Sequence, residues 1–428
     1  MSRPVVGFAG MTHLGLNSAA AAAERGFQVV AFDLDQTRVE ALARGELSIV
    51  EPGLAELLAQ HREGLSFTAS PADLHTCTVI YVAPDVPTDD TGVSDLRPVR
   101  DLIERVDASL SAEAALVILS QVPPGFTRSL GRPAMRTFYQ VETLIFGRAV
   151  ERARYPERFI LGCADPAAAL PSALAEFLGA FGCPILRMRY ESAELAKISI
   201  NMCLVASITT ANTLAELCEH IGADWSEIVP ALRLDQRIGP HAYLAPGLGL
   251  GGGNLERDLR TVCRLADTSG TDAEVVRAWI ANSAHRRDWA LAQIHERVIG
   301  RVAEPTLAVL GLAYKEHTAS TKNSPALALL TALAPFAVRA YDPVVTPQPE
   351  FHPRLVAAPS ALDACVGADA VVLMTPWPEF RRLRPDAVGV QLRGRTVLDP
   401  HGILEGPAFR AAGLDYVTLG YPLAGVAV

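Results

Sequence analysis

Short apolar runs alternate with helix-forming stretches from the start of this chain. Val5 to Ala9 is short and uniformly apolar, as a strand buried on both faces of a parallel sheet is. Gly10 to Gly15 reads as a turn, and Leu16 to Arg25 as an Ala-rich helix. Gly26 stands where a helix C-cap glycine stands. Phe27 to Phe32 predicts a second apolar strand, closed by Asp33. Thr78 to Ala83, Ala115 to Ser120 and Arg158 to Gly162 predict further strands, with helical patterns between them. Such alternation implies an α/β fold with a doubly wound parallel sheet and helices on both faces.

The pattern changes after Met188. Glu191 to about Gly222 predicts one long helix free of Pro and Gly before its end. Leu195, Ile198, Met202, Val205 and Ile208 make it apolar on more than one side. A second helical stretch runs from about Asp272 to Ile299, and the glycine-rich run Pro246 to Asn254 lies between the two. The middle of the chain therefore reads as all-helical. Arg301 to Pro305 reads as a linker. Thr306 to Leu310 is again a buried strand followed by a glycine, and Val338 to Tyr341, Ala370 to Met374 and Thr396 to Asp399 repeat that style. The expected division is 1–188, an α/β domain; 189–300, a central helical domain; and 301–428, a second α/β domain. The two α/β parts share no residue-level repeat.

Composition narrows the class. At about 150 residues per domain, 428 residues suggest two or three domains. A hydrophobic fraction of 50% excludes a disordered chain, which lacks the apolar surface to offset ordering entropy. The net charge is −9 and no basic run occurs, which excludes a broad electrostatic nucleic-acid surface. An anionic substrate must then be met by a local cluster of donors. Seven cysteines are scattered singly without a CxxC, which argues against a disulfide framework and fits a reducing compartment. Ten histidines form no HxxxH or HExxH pair, so no metal site is expected. The N-terminus passes through one Arg directly into Val5, without a signal-peptide pattern. No uninterrupted apolar run of about 20 residues exists, so the expectation is a cytoplasmic protein with no membrane span.

Five motifs carry candidate chemistry. A dinucleotide turn needs glycines for tightness, close approach of the pyrophosphate and helix packing; here the three positions are Gly10, Thr12 and Gly15. Asp33 lies 18 residues past Gly15, where an acid accepts from a ribose hydroxyl and repels the extra phosphate of NADP. An ordinary βα turn explains the glycines equally well. Glu51-Pro52-Gly53-Leu54 reads as a helix start and no more. Glu194, Lys197 and Asn201 share one helix face, and a partly buried Lys there holds charge against a developing alkoxide. On those residues alone, a solvated Glu–Lys surface pair is the preferred reading. Gly247, Gly249, Gly251, Gly252 and Gly253, followed by Asn254 and Asp258, let backbone N–H groups approach a ligand; the bland alternative is a linker, which Leu248 and Leu250 disfavour. Gly311 to Lys315, then Asn323-Ser324-Pro325, suits an anion site, although a βα loop with an exposed Lys is the preferred reading of that motif alone.

Together, and in order, these residues resemble the UDP-glucose/GDP-mannose dehydrogenase family over nearly the whole chain. The matching stretches are Gly10 to Leu16, Asp33, Glu51 to Leu54, Pro87 with Gly92 and Asp95-Leu96, and Val122 to Gly125. Further on they are Ala196-Lys197 with Asn201, Asp235 to Pro240, Gly247 to Asp258, Gly311 to Lys315, Ser324 to Ala326, Tyr341 to Pro343 and Thr375 to Phe380. The resemblance implies two Rossmann-like domains joined by a long central helix, NAD, a UDP- or GDP-sugar and a homodimer built on that helix. It implies NAD contacts at Gly10, Thr12, His13, Leu14, Gly15, Asp33, Arg38, Pro87, Gln121 and Lys322. It implies nucleotide-sugar contacts at Leu144, Arg237, Tyr243, Gly247, Gly249, Gly251, Tyr314 and Lys315, with Arg237 reaching across a dimer to the ligand phosphates.

Departures from the family pattern are concentrated at the reacting centre. Family members oxidise a sugar alcohol to an acid in two hydride transfers, the second through a cysteine thioester. That cysteine's position is Asn254, and Cys263 lies nine residues beyond it. One family Glu survives as Glu142, and another is Phe146. A family Thr is Gln121, and another is Val86. Lys197, Asn201 and Asp258 remain for alcohol oxidation, with Asp258 as base directly or through a water. The resulting expectation is an NAD-dependent enzyme that transfers hydride at a sugar hydroxyl without the thioester step, giving an aldehyde, ketone or epimer rather than the four-electron acid product. The alternative is a catalytically degenerate nucleotide-sugar or NAD-binding paralogue.

Overall fold

The structure, a computed structural model, describes residues 3–89 and 92–423. It divides into two compact units, Met1–Ile200 and Asn201–Val428, and the boundary falls inside the long helix Tyr190–Ile221.

The first unit is built on eight strands: β1 (Val5–Ala9), β2 (Gln28–Phe32), β3 (Leu65–Thr68), β4 (Val79–Val82), β5 (Ala115–Ile118), β6 (Thr137–Gln140), β7 (Phe159–Cys163) and β8 (Ile185–Arg189). Their order is β3-β2-β1-β4-β5-β6-β7-β8. β1 lies between β2 and β4, so the winding reverses there, and a crevice opens outside the carboxyl ends of β1 and β4. Apolar layers cover both faces, one around Phe8, Leu16, Phe27 and Tyr81, the other around Ile80, Leu116, Ile118 and Tyr139. This double burial is why the strands read as continuous apolar runs.

The second unit contains β9 (Thr306–Leu310), β10 (Ala337–Tyr341), β11 (Leu355–Ala357), β12 (Ala370–Leu373), β13 (Thr396–Leu398) and β14 (Asp415–Val417). All are parallel in the order β11-β10-β9-β12-β13-β14, the doubly wound arrangement again. Both sheets are Rossmann-like, as the family resemblance implies. Between Tyr190 and Gly300 the chain carries only helices and loops.

Several details differ from the sequence reading. The first sheet is not wholly parallel: β6 and β7 pair antiparallel through Tyr139 and Gly162. The first helix starts at His13 rather than Leu16, because Thr12 has extended backbone and serves as its N-cap. The stretch from Asp272 to Ile299 is three pieces, Glu274–Arg287, Trp289–Ile294 and a π-helical turn His295–Ile299. β3, β8 and β11 escape an apolar-run criterion because they carry mixed or exposed residues, and β6 because buried polar groups end it.

Among the described residues, one helix is long and apolar enough to cross a membrane by length and composition alone. Tyr190–Ile221 has a mean hydropathy of 1.4 over its most apolar window. It also buries Glu194, Asn201, Thr209, Asn212 and Glu219, each hydrogen-bonded within its own unit. Those bonds are the property of a core helix, since lipid offers such groups no partner.

Candidate functional site

The glycine turn of the first unit is shaped by close approach. Gly10 has φ +96°, and a Cβ there would lie 2.8 Å from Pro84 N. A Cβ at Gly15 would lie 1.9 Å from the Gly10 carbonyl oxygen. Both glycines are therefore required sterically, whereas Thr12 is accommodated, its Oγ1 donating to Ala83 O at 3.1 Å. Asp33 Oδ2 accepts from Met11 N at 2.7 Å and Arg38 Nη1 at 2.9 Å, and Oδ1 accepts from Asp35 N at 3.0 Å. A carboxylate has about four acceptor positions, so Asp33 keeps one for a ribose hydroxyl while tying the turn to the end of β2. The turn, the start of helix His13–Glu24 and Asp33 together fit a dinucleotide, the helix N-terminus meeting its pyrophosphate. Pro87 and Gln121 stand on the loops leaving β4 and β5, on the same edge of the sheet.

Glu51, read from sequence as a helix start, holds this edge together. Its buried carboxylate accepts from Gly147 N at 3.0 Å and Ala149 N at 2.8 Å, and pairs with His13 Nε2 at 2.8 Å. Phe146 stacks on the His13 ring at 4.2 Å. Glu51 thereby fixes the segment that carries Glu142 and Leu144. Glu142 Oε2 lies 3.2 Å from Lys197 Nζ, both side chains largely buried. The surface-pair reading of Glu194 and Lys197 is thus overturned. Glu194 is fully buried and accepts from Gly125 N at 2.6 Å and Thr127 N at 2.8 Å. Burial pushes its carboxyl above the ordinary range, opposed by those hydrogen bonds. Glu194 secures the Val122 to Gly125 turn against the helix that presents Lys197.

In the second unit, Asn201 Nδ2 donates to Asp258 Oδ2 at 2.6 Å, and Arg257 Nε to Asp258 Oδ1 at 3.2 Å. All three side chains are buried. Asn254 is exposed at the first position of helix Asn254–Ser269, one turn before Asp258 and on its face. Cys263 lies nine residues further, roughly 13 Å along the axis, buried against Val205 and Leu259. The glycine loop is not a linker. Gly247 N donates to Asn212 Oδ1, Leu250 N to Ser283 Oγ and Gly252 N to Lys322 O. Several of its glycines serve packing rather than ligand approach: a Cβ at Gly249 would lie 2.3 Å from Ser283 O, and one at Gly252 2.8 Å from the Tyr314 ring. Asn323 Nδ2 donates to Gly252 O at 3.0 Å, and the Lys322 stem lies beside Gly253.

Lys315 is half-buried and lies over the Tyr314 ring, not exposed as the motif alone suggests. Asp342 occupies in this sheet the place of Asp33, but its carboxylate accepts from Leu312, Ala313, Val344 and Val345 N–H groups and from Trp377 Nε1. That leaves no acceptor free for a ribose. Arg237 is exposed and pairs with Asp235, and Tyr243 is exposed as well.

Comparison with known proteins places this geometry. Residues 5–178 match the NAD binding domain of the UDP-glucose/GDP-mannose dehydrogenase family, 191–284 its central domain and 308–406 its UDP binding domain. A UDP-glucose 6-dehydrogenase of Pseudomonas aeruginosa is 33% identical over 442 residues, covering 97% of both chains. The chain belongs to the UDP-glucose/GDP-mannose dehydrogenase family. UDP-glucose 6-dehydrogenase TuaD of Bacillus subtilis is 29% identical, covering 96% of this chain and 92% of its own. A UDP-glucose dehydrogenase structure from Pyrobaculum islandicum aligns with a TM-score of 0.85 at 25% identity, over 100% of this chain and 98% of that one. As a member of this dehydrogenase family, the protein is an NAD-dependent oxidoreductase of nucleotide sugars.

Glu51 and Glu194 are buried carboxylates whose backbone partners the sequence does not reveal. An acid before Pro-Gly and an acid on an otherwise apolar helix face were the available signals, and neither residue type reveals burial.

Proposed function

We propose that this enzyme transfers hydride between NAD and a hydroxyl-bearing carbon of a UDP- or GDP-linked sugar without forming a thioester. The observation that carries the reading is Asn254 at the start of helix Asn254–Ser269, where the family resemblance puts the thiolate, with Asp258 and Asn201 retained one turn and one hydrogen bond away. Bound NAD supplies the hydride acceptor. The Asp258 carboxylate takes the hydroxyl proton, directly or through a water, as the C–H electron pair departs. The Lys197 ammonium and the second N–H of the Asn201 amide meet the charge on the alkoxide oxygen. Glu142 holds Lys197 in place. An amide side chain cannot form a thioester at that carbon, so the products are an aldehyde, a ketone or, if hydride returns to the opposite face, an epimer.

The remaining assignments follow from the same reading. Gly10, Thr12, His13, Leu14, Gly15, Asp33, Arg38, Pro87, Gln121 and Lys322 serve NAD. Leu144, Arg237, Tyr243, Gly247, Gly249, Gly251, Tyr314 and Lys315 serve the nucleotide sugar. The chain works as 1–188, 189–300 and 301–428, and as a homodimer. Exposed Leu214, Leu217 and Ile221 on the long helix supply the apolar face for that dimer.

The test is incubation of the protein with NAD and a panel of UDP- and GDP-sugars, read by mass spectrometry and NMR. The expected product is a carbonyl compound or an epimer. Formation of a uronic acid, as the names of the relatives would suggest, overturns the proposal. Binding without conversion across the panel transfers support to the paralogue that binds and does not catalyse, a reading that Thr12 in the cofactor turn favours.

A further inference from the structure

Behind the proposed site, the first unit holds an aromatic cleft. It contains about 500 Å³ of empty space, within the range of small-molecule sites. Its walls are the rings of Phe8, Tyr81, Phe159, Phe177 and Phe181, and the helix His13–Glu24 closes it with Ser18 and Ala21. Phe8 and Tyr81 belong to the apolar layer on one face of the sheet. Ala193 and Ile200, on either side of Lys197 in the long helix, pack against the layer on the other face. The cleft therefore lies on the face turned away from the helix that presents Lys197. Ser18 and Ala21 also stand well inside their helix, past the first turn that meets a dinucleotide. Only the rim at Leu14, Glu142 and Leu144 is shared with residues that already have a role.

One buried amide makes the cleft more than a packing fault. Gln140, the last residue of β6, lines it and is 8% exposed. Its Oε1 accepts from Tyr81 OH at 2.9 Å, which turns the Nε2 end of the amide away from the tyrosine. Among the described residues that Nε2 has no hydrogen-bond partner. A buried N–H donor calls for an acceptor. The charges at the rim are already committed. Glu142 Oε2 lies 3.2 Å from Lys197 Nζ, Arg152 Nε donates to Thr143 O at 2.8 Å, and Arg152 Nη1 donates to Glu157 Oε1 at 2.9 Å. A charged guest would find no counter-charge. The rings favour a flat one: Phe8 stacks on Tyr81 at 5.1 Å, and Phe177 lies 5.5 Å from Tyr81 and 5.4 Å from Phe181, so both faces and edges are on offer.

We propose that this cleft is a second ligand site, separate from those of NAD and the nucleotide sugar, which takes a small uncharged aromatic molecule carrying one hydrogen-bond acceptor. The ring lies among Phe8, Tyr81 and Phe177, and the acceptor receives the Gln140 Nε2 hydrogen bond. Selectivity for the acceptor then resides in Gln140, and room for the ring in the small side chains of Ser18 and Ala21.

Saturation-transfer NMR titration of the full chain with acetophenone and with ethylbenzene tests this, because the two share a ring and a size and differ in the carbonyl acceptor. Acetophenone should bind at one site, about tenfold more tightly than ethylbenzene, and saturating NAD should leave it bound. Gln140→Leu should bring the two affinities within about twofold of each other by removing the donor. Ala21→Leu fills the cleft and should abolish binding of both compounds with Tm kept or raised. Ser18→Leu is a second filling variant with the same expected loss, and it serves if Ala21→Leu does not fold. The proposal is overturned if neither compound binds the native protein, if NAD displaces acetophenone, if the preference for acetophenone survives in Gln140→Leu, or if binding survives in a folded filling variant.

Discussion

Asn201 and Asp258 are joined by a 2.6 Å hydrogen bond between the amide of the long helix and the carboxylate of helix Asn254–Ser269. The bond fixes the amide and the carboxylate of the proposed base against each other. Asp258→Asn removes the base and keeps the shape. It should lower kcat for sugar-dependent NADH formation by about 10²–10⁴-fold. KM for NAD should stay within a few-fold. Unchanged turnover would assign the base elsewhere.

Thiol reagents separate this chemistry from thioester chemistry. Burial pushes Cys77 and Cys365 to about 12 and Cys163 to about 11, so they resist alkylation near neutral pH. Exposed Cys203 should react first. Hydride transfer should survive in Cys203→Ser under reagent that leaves no accessible thiol. Asn254→Cys, placed at a helix N-terminus, should become the fastest-labelled site and lose activity on labelling. Peptide mapping by mass spectrometry with parallel assays gives both readouts.

Glu194 makes stability depend on pH with a definite sign. Its carboxyl is raised in the native state, chiefly by burial, so the native state holds that proton more tightly than the unfolded chain does. Its contribution is full below the unfolded value and is lost as pH rises through the raised native value. Glu194→Gln should remove this decline. The expected change is a flatter dependence of Tm on pH across the mildly acidic range. A parallel displacement of the whole curve would mean that Glu194 does not titrate there.

The glycine loop offers a paired test of backbone demand. Gly249 has φ +74°, and a Cβ there would sit 2.3 Å from Ser283 O. Gly247 has nothing within 4 Å. Gly249→Ala should cost about 2 kcal/mol or more, whereas Gly247→Ala should be within about 1 kcal/mol of the native protein. Chemical denaturation of the two variants measures the difference.

What the sequence determined by itself was the architecture. β1 and β9 are legible as continuous apolar runs because both faces are buried, and the turns at Gly10 and Gly311 because close backbone approach admits no side chain. The ordered motifs then placed Lys197, Asn201, Asp258 and Asn254 on their elements. Only the tertiary structure decided what the charged groups do. Glu51 reads as part of a helix start and Glu194 as half of a solvated surface pair, yet each is buried on backbone N–H groups far away in sequence. Glu142 meets Lys197 across 55 positions, and Asn201 meets Asp258 across 57. The physical reason is range. Hydrophobic periodicity is written into neighbouring residues, whereas the partner of a carboxylate is set by which distant strand or helix packs over it.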